Sequence, residues 1–98
     1  MALAASGTVR RYLEALTRGD ETTGYALLGG TDRGQQLSEQ SFLDPGARIT
    51  SIRSKRVDDS NATVEAEITS AKGTYSVNYH VTATPRGPII TQHDFIKV

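Results

Sequence analysis

The chain has 98 residues, enough for one domain with a small core. Its 11 basic and 11 acidic side chains cancel, so it carries no electrostatic footprint for nucleic acid or for direct contact with an acidic membrane surface. With no cysteine, disulfides, thiolate metal sites and cysteine nucleophiles are excluded.

Met1 to Gly7, M-A-L-A-A-S-G, reads as a disordered lead-in or linker ahead of a single domain. It is too short for a membrane span and lacks the charged start of a signal peptide. Two expectations stay open: a complete cytoplasmic protein, or a domain cut from a longer one. From Val9 the pattern is helical. Val9, Tyr12, Leu13 and Leu16 form one apolar stripe, and Arg10, Glu14 and Arg18 run down another face. Ser6 or Thr8 is the expected N-cap. The helix should end near Arg18 at Gly19, and Asp20 should cap a second, shorter helix that carries Tyr25, Leu27 and Leu28 and stops at Gly29-Gly30.

Thr31 to Gln40 is polar, with Leu37 as its one large apolar residue. A short helix over Ser38 to Phe42 would turn Phe42 inward. Asp44-Pro45-Gly46 is a turn, because proline fixes φ and glycine accepts a positive one. Four strands follow. Arg48 to Val57 breaks its alternation between Ile49 and Ile52, which predicts a bulge near Thr50. Ala62 to Ser70 and Thr74 to Ala83 alternate cleanly, as strands with one buried and one polar face do. Lys72-Gly73 is the expected hairpin loop between them. Ile89 to Val98 is the last strand, and both of its parities carry apolar residues. If Ile52 shares the inner face with Ile68, Arg53 faces Glu67 and Lys55 faces Glu65; with the Lys72-Gly73 loop, Glu65 in turn faces His80 and Glu67 faces Asn78. The resulting charged ladder reads as a solvated face that fixes register, with a binding surface around His80 as the alternative.

The fold class is therefore α+β: two N-terminal helices packed against a curved four-stranded antiparallel sheet. The segment V-R-R-Y-L-E-A-L-T-R-G-D followed by A-L-L resembles the opening of the NTF2-like superfamily, the cystatin-like cone, in a reduced version similar to extracytoplasmic domains of bacterial lipoproteins and membrane-anchored proteins. The resemblance implies a pocket at the wide end of the cone near Tyr12, Tyr25, Phe42 and Tyr79. It also implies a small apolar ligand and a homodimer through the outer sheet face, with His93 and Phe95 at the interface or in the pocket.

Ketosteroid isomerases of the same superfamily place a helix tyrosine and a protonated aspartate around an enolate oxygen. By that likeness Tyr12 and Asp94 are the candidate oxyanion donors, with Asp44 as a base. The alternative for Tyr12 is an ordinary core aromatic. The glycines from Gly29 to Gly34 lack the Lys and Ser/Thr of a phosphate loop, His80 and His93 lack metal-ligand spacing, and no G-x-S-x-G occurs. No motif calls for a cofactor or metal. The leading expectation is a non-catalytic module that binds a small ligand or a protein, alone as a dimer or within a larger protein. The second is a small isomerase- or hydrolase-like enzyme.

Overall fold

A computed structural model describes residues 2–29 and 37–98. The architecture is two helices, α1 (Ala2–Thr17) and α2 (Glu21–Ala26), a one-turn 3₁₀ helix (Ser38–Ser41) and four strands. The strands are β1 (Arg48–Val57), β2 (Asn61–Ser70), β3 (Gly73–Thr84) and β4 (Gly87–Lys97). They form one antiparallel sheet in the order β1-β2-β3-β4, and α1 lies against all four. The expected α+β class holds.

α1 starts a full turn and more before the expected cap. The residues read as a lead-in are helical, because Ala2-Leu3-Ala4-Ala5 has high helix propensity and Ala5 extends the buried stripe one turn upstream of Val9. Thr8 is inside the helix, its hydroxyl donating to the Ala4 carbonyl at 2.9 Å, and Ser6 meets Ser54 of β1 at 3.1 Å. The far end is as read. Gly19, at φ 79°, closes a Schellman pair in which Gly19 N–H donates to Leu16 and Asp20 N–H to Ala15. The Asp20 carboxylate then accepts from the Thr23 N–H at 3.1 Å and caps α2. α2 ends at Ala26, so Leu27 and Leu28 lie beyond it. The expected stop at Gly30, and the glycine run past Gly29, lie outside the described residues.

The inner sheet face is built by Ala62, Val64, Ala66 and Ile68 of β2 and by Tyr75, Val77, Tyr79 and Val81 of β3, all buried. The predicted bulge is present: register shifts between Ile49 and Ser51, so Ile49 pairs with Ile68, Ile52 with Ala66, and both isoleucines pack on the core. A second irregularity, between Ser54 and Arg56, was not anticipated.

The β2–β3 loop is Ala71-Lys72, one residue earlier than expected, because Gly73 uses its φ of 127° while already paired with Ser70. This slip changes the partners across β2 and β3, and the register of β1, with its bulge at Thr50, changes those across β1 and β2. Glu65 pairs with Asn78 and with Arg53, Glu67 with Ser76, and His80 with Thr63. Glu65 still gathers the basic side chains, accepting from Arg53 at 2.7 Å and lying 3.6 Å from Lys55. Its carboxyl is held below the ordinary range, chiefly by the Arg53 hydrogen bond.

β4 has a bulge too. The register shifts beside His80, so Val81 pairs with Ile90 while Tyr79 pairs with His93 and leaves Thr91 between them. Ile90 therefore points inward on one parity, and His93 and Phe95 on the other.

At one end of the core Phe42 stacks on Tyr75, with ring centroids 4.0 Å apart and planes at 9°, and Phe95 meets both edge-on. Phe42 is thus held by two strands and anchors the 3₁₀ turn. Phe42→Ala is expected to cost about 3–5 kcal/mol in unfolding free energy, read from urea titration of the far-UV circular dichroism.

Candidate functional site: a buried carboxylate cluster

Between α1 and the inner sheet face lies a set of polar side chains that the apolar pattern alone does not announce. Glu39, on the 3₁₀ turn, is 0% exposed. Leu37 and Phe42 on either side of the turn are buried, and a single turn clamped at both ends carries Glu39 inward with them. The Tyr12 hydroxyl donates to its Oε1 at 2.9 Å. The Tyr79 hydroxyl donates to Oε2 at 2.8 Å, and His93 Nδ1 lies 2.7 Å from the same oxygen. α1, β3 and β4 each contribute one partner. The rings pack as well as bond: Tyr12 meets Tyr79 edge-on at 6.0 Å and His93 edge-on at 5.9 Å, while Tyr79 and His93 stack at 5.9 Å.

Burial by itself would raise the Glu39 carboxyl, but the hydrogen bond and charge of His93 and the hydrogen bond of Tyr79 outweigh it, and the net displacement is downward. The groups around Glu39 therefore favour its carboxylate form, to which His93 bonds through Nδ1. Tyr12 and Tyr79 move the other way. Burial, then the Glu39 charge, then the hydrogen bond to it, all keep the phenols protonated far above their ordinary value. The hydroxyls act as fixed donors to an internal anion.

This arrangement bears directly on the isomerase likeness. An oxyanion hole needs a phenol O–H aimed at a place where substrate oxygen can sit. Here the Tyr12 O–H is spent on Glu39 and the residue is fully buried. Asp94 does not join it: the residue is exposed and pairs with Asn78 along the sheet. Asp44 is a turn residue whose oxygens accept from the Gly46 N–H at 2.8 Å and the Ala71 N–H at 3.1 Å. The catalytic set Tyr12, Asp94 and Asp44 is not assembled.

Of the expected pocket, Tyr12 and Tyr79 come together, Phe42 packs in the separate aromatic group, and Tyr25 is 53% exposed on α2. His93 belongs to the cluster and Phe95 to the aromatic group. Among the described residues no three His, Asp or Glu side chains gather as a metal set, and no helix is long and apolar enough to cross a membrane.

The fold and site define an α+β domain with an ionised, internally bonded core cluster. No family model matches the chain, and no curated protein matches it. Among solved structures it is similar to the crystal structure of the intermembrane space region of chloroplast protein ARC6. The TM-score is 0.59 at 17% sequence identity, covering 100% of this chain and 98% of that one. Identity at this level shows a shared fold.

Removing one member of the cluster leaves others unsatisfied in the core. Glu39→Ala is expected to cost about 3–5 kcal/mol, and Tyr12→Phe or Tyr79→Phe about 1–3 kcal/mol each. The Glu39→Ala/Tyr12→Phe double variant should lose less than the sum, as coupled groups do; strict additivity in urea titrations would exclude the coupling.

The pH dependence follows from the signs. Glu39 has a depressed carboxyl in the folded state, so its contribution is complete above the ordinary value of 4.5 and is lost as acid protonates the folded form. The phenols are raised, so theirs is complete below the ordinary value of 10.0 and fades at higher pH. Melting temperature should therefore be flat between these limits as far as the Glu39 and tyrosine contributions go, and the acid limb should flatten in Glu39→Gln.

Proposed function

We propose that this chain is a non-catalytic interaction module, a reduced domain of NTF2-like type that works by presenting its surface to another protein. The observation that carries this reading is the closure of the cluster around Glu39. Two tyrosines strongly displaced from their ordinary titration and the carboxylate they donate to are bonded to one another inside the core, with Glu39 and Tyr12 fully buried and Tyr79 1% exposed. Perturbed groups mark active sites when they line a cleft. Without access to a reactant they serve to hold elements in place.

The likeness to ARC6 supports the same reading in a limited way. That structure is itself a region of a larger protein, placed in an intermembrane space, and the match runs over nearly its whole length. A domain of this size working as part of a larger assembly is consistent with it. A homodimer through the outer sheet face has less in its favour. That face carries Thr63, Glu65, Asn78 and His80, with Ile96 as its large exposed apolar residue, and stable dimers bury an apolar centre. A monomer in sedimentation velocity at micromolar concentration is the expected result.

The enzyme alternative is tested with a β,γ-unsaturated cyclic ketone, following formation of the conjugated enone by ultraviolet absorbance. Positioned acid–base catalysis supplies about 10²–10⁴-fold. The expected rate matches buffer. A rate enhancement in that range, abolished by Tyr12→Phe in a folded protein, would overturn the module reading.

A further inference from the structure

A trough of about 550 Å³ opens between the end of α2 and the β3–β4 hairpin, far in character from the buried cluster. After α2 the chain runs beside β4, with Ile90 N–H donating to Leu27 at 2.8 Å and Gly29 N–H donating to Ile90 at 2.9 Å. A parallel bridge joins Leu28 to Ile90. This fixes Leu27 and Leu28 next to Pro88 and Ile89, and the four half-buried side chains make an apolar floor.

The rim is cationic. Arg11 of α1 and Arg86 of the hairpin turn both line the trough and both are exposed. Among the described residues neither forms an ion pair, and no acidic side chain lines the trough. Elsewhere Arg53 and Lys55 share Glu65, and Arg18 reaches Asp20.

The rim is also rigid where Arg86 stands. Pro85 fixes φ, the Thr84 hydroxyl donates to the Gly87 carbonyl at 2.6 Å, and Arg86 N–H donates to the same hydroxyl at 3.2 Å. Gly87, at φ 109°, allows the turn to close. A preorganised wall lowers the ordering cost of binding.

We infer that this trough is the docking site for an acidic peptide segment of a partner protein, one that sets an aliphatic or aromatic residue on the Leu27–Ile89 floor and carboxylates against Arg11 and Arg86. The proposal rests on the module reading and supplies its partner class. Two unpaired guanidiniums call for carboxylate, which they bind in a fixed fork geometry. The trough is open along one side, so a small molecule would be only partly covered, whereas a peptide gains contacts from its neighbouring residues.

The test is a ¹H–¹⁵N NMR titration of the full chain with a synthetic peptide of alternating glutamate and leucine. Expected are shifts of the amides of Arg11, Ala26 to Gly29, Thr84, Arg86, Gly87 and Ile89. The dissociation constant should rise about tenfold or more in Arg11→Glu/Arg86→Glu, whose melting temperature should stay that of the parent, and should rise as steeply when serine replaces leucine in the peptide. A peptide with lysine in place of glutamate should not bind.

Undiminished binding in the double variant, or shifts confined to the outer sheet face, overturns the site while the module reading stands. Absence of any shift overturns the proposed peptide class. Self-association abolished by the double variant makes a second copy the occupant and overturns it too. The enone assay fails or succeeds independently of all of these.

Discussion

A carboxylate placed in a protein core must be answered or it unfolds the core. Stripping one anion of water costs several kcal/mol, and only close donors recover that free energy. Glu39 is such an anion, and its donors come from 27, 40 and 54 residues away in sequence. The demand is directional. Apolar packing alone would let α1 slide or roll over the sheet with little loss, since Val9, Leu13 and Leu16 make contacts that other aliphatic surfaces can replace. The three bonds to Glu39 allow one placement of Tyr12 against Tyr79 and His93. The same two oxygen atoms tie together α1, the 3₁₀ turn and the adjoining strands β3 and β4.

The core is accordingly divided. One part is aromatic and dry, with Phe42 between Tyr75 and Phe95. The other is polar and closed, and the 3₁₀ turn feeds both, Phe42 to the first and Glu39 to the second. A chain with 37% hydrophobic residues and no Trp gains cohesion from hydrogen-bonded aromatics where larger aliphatic layers are lacking. The same economy moves function outward. Groups locked in place are committed to one another, and on the proposed reading recognition is left to the surface between helix and hairpin, where Arg11 and Arg86 have no ion-pair partner among the described residues.

The sheet was legible where one physical signal acted alone. Alternation from Ala62 to Ile68 and from Tyr75 to Val81 states which face is buried, and the Ile49/Ile52 phase break places a bulge at Thr50. In β4 the same kind of bulge, at Thr91, was not readable, because Ile89, Ile90, Phe95 and Ile96 fill both parities with apolar residues. The hairpin loop was read one residue late, since a glycine with positive φ belongs equally to a loop and to the first paired position of a strand. Small residues misled at the start: Ala2 to Ala5 has linker composition and helix propensity at once, and burial of Ala5 against the sheet decides between them. Tyr12 and Tyr79 were singled out and do meet. Glu39 carries no comparable signal, because an isolated acid in a polar stretch ordinarily faces water. Its position between Leu37 and Phe42 on a single turn was the available clue, and its partners are too distant in sequence for spacing to reveal them.

The long separations within the cluster have a consequence for how the chain is made. During synthesis α1 emerges ahead of the 3₁₀ turn, so the Tyr12 donor to Glu39 is made before those of Tyr79 and His93. The β2–β3 hairpin can pair on its own, yet the anion is not fully answered until His93 has emerged. The cluster is therefore complete only once β4 has docked and brought His93 to Glu39, so a chain cut before β4 would bury the carboxylate without that partner.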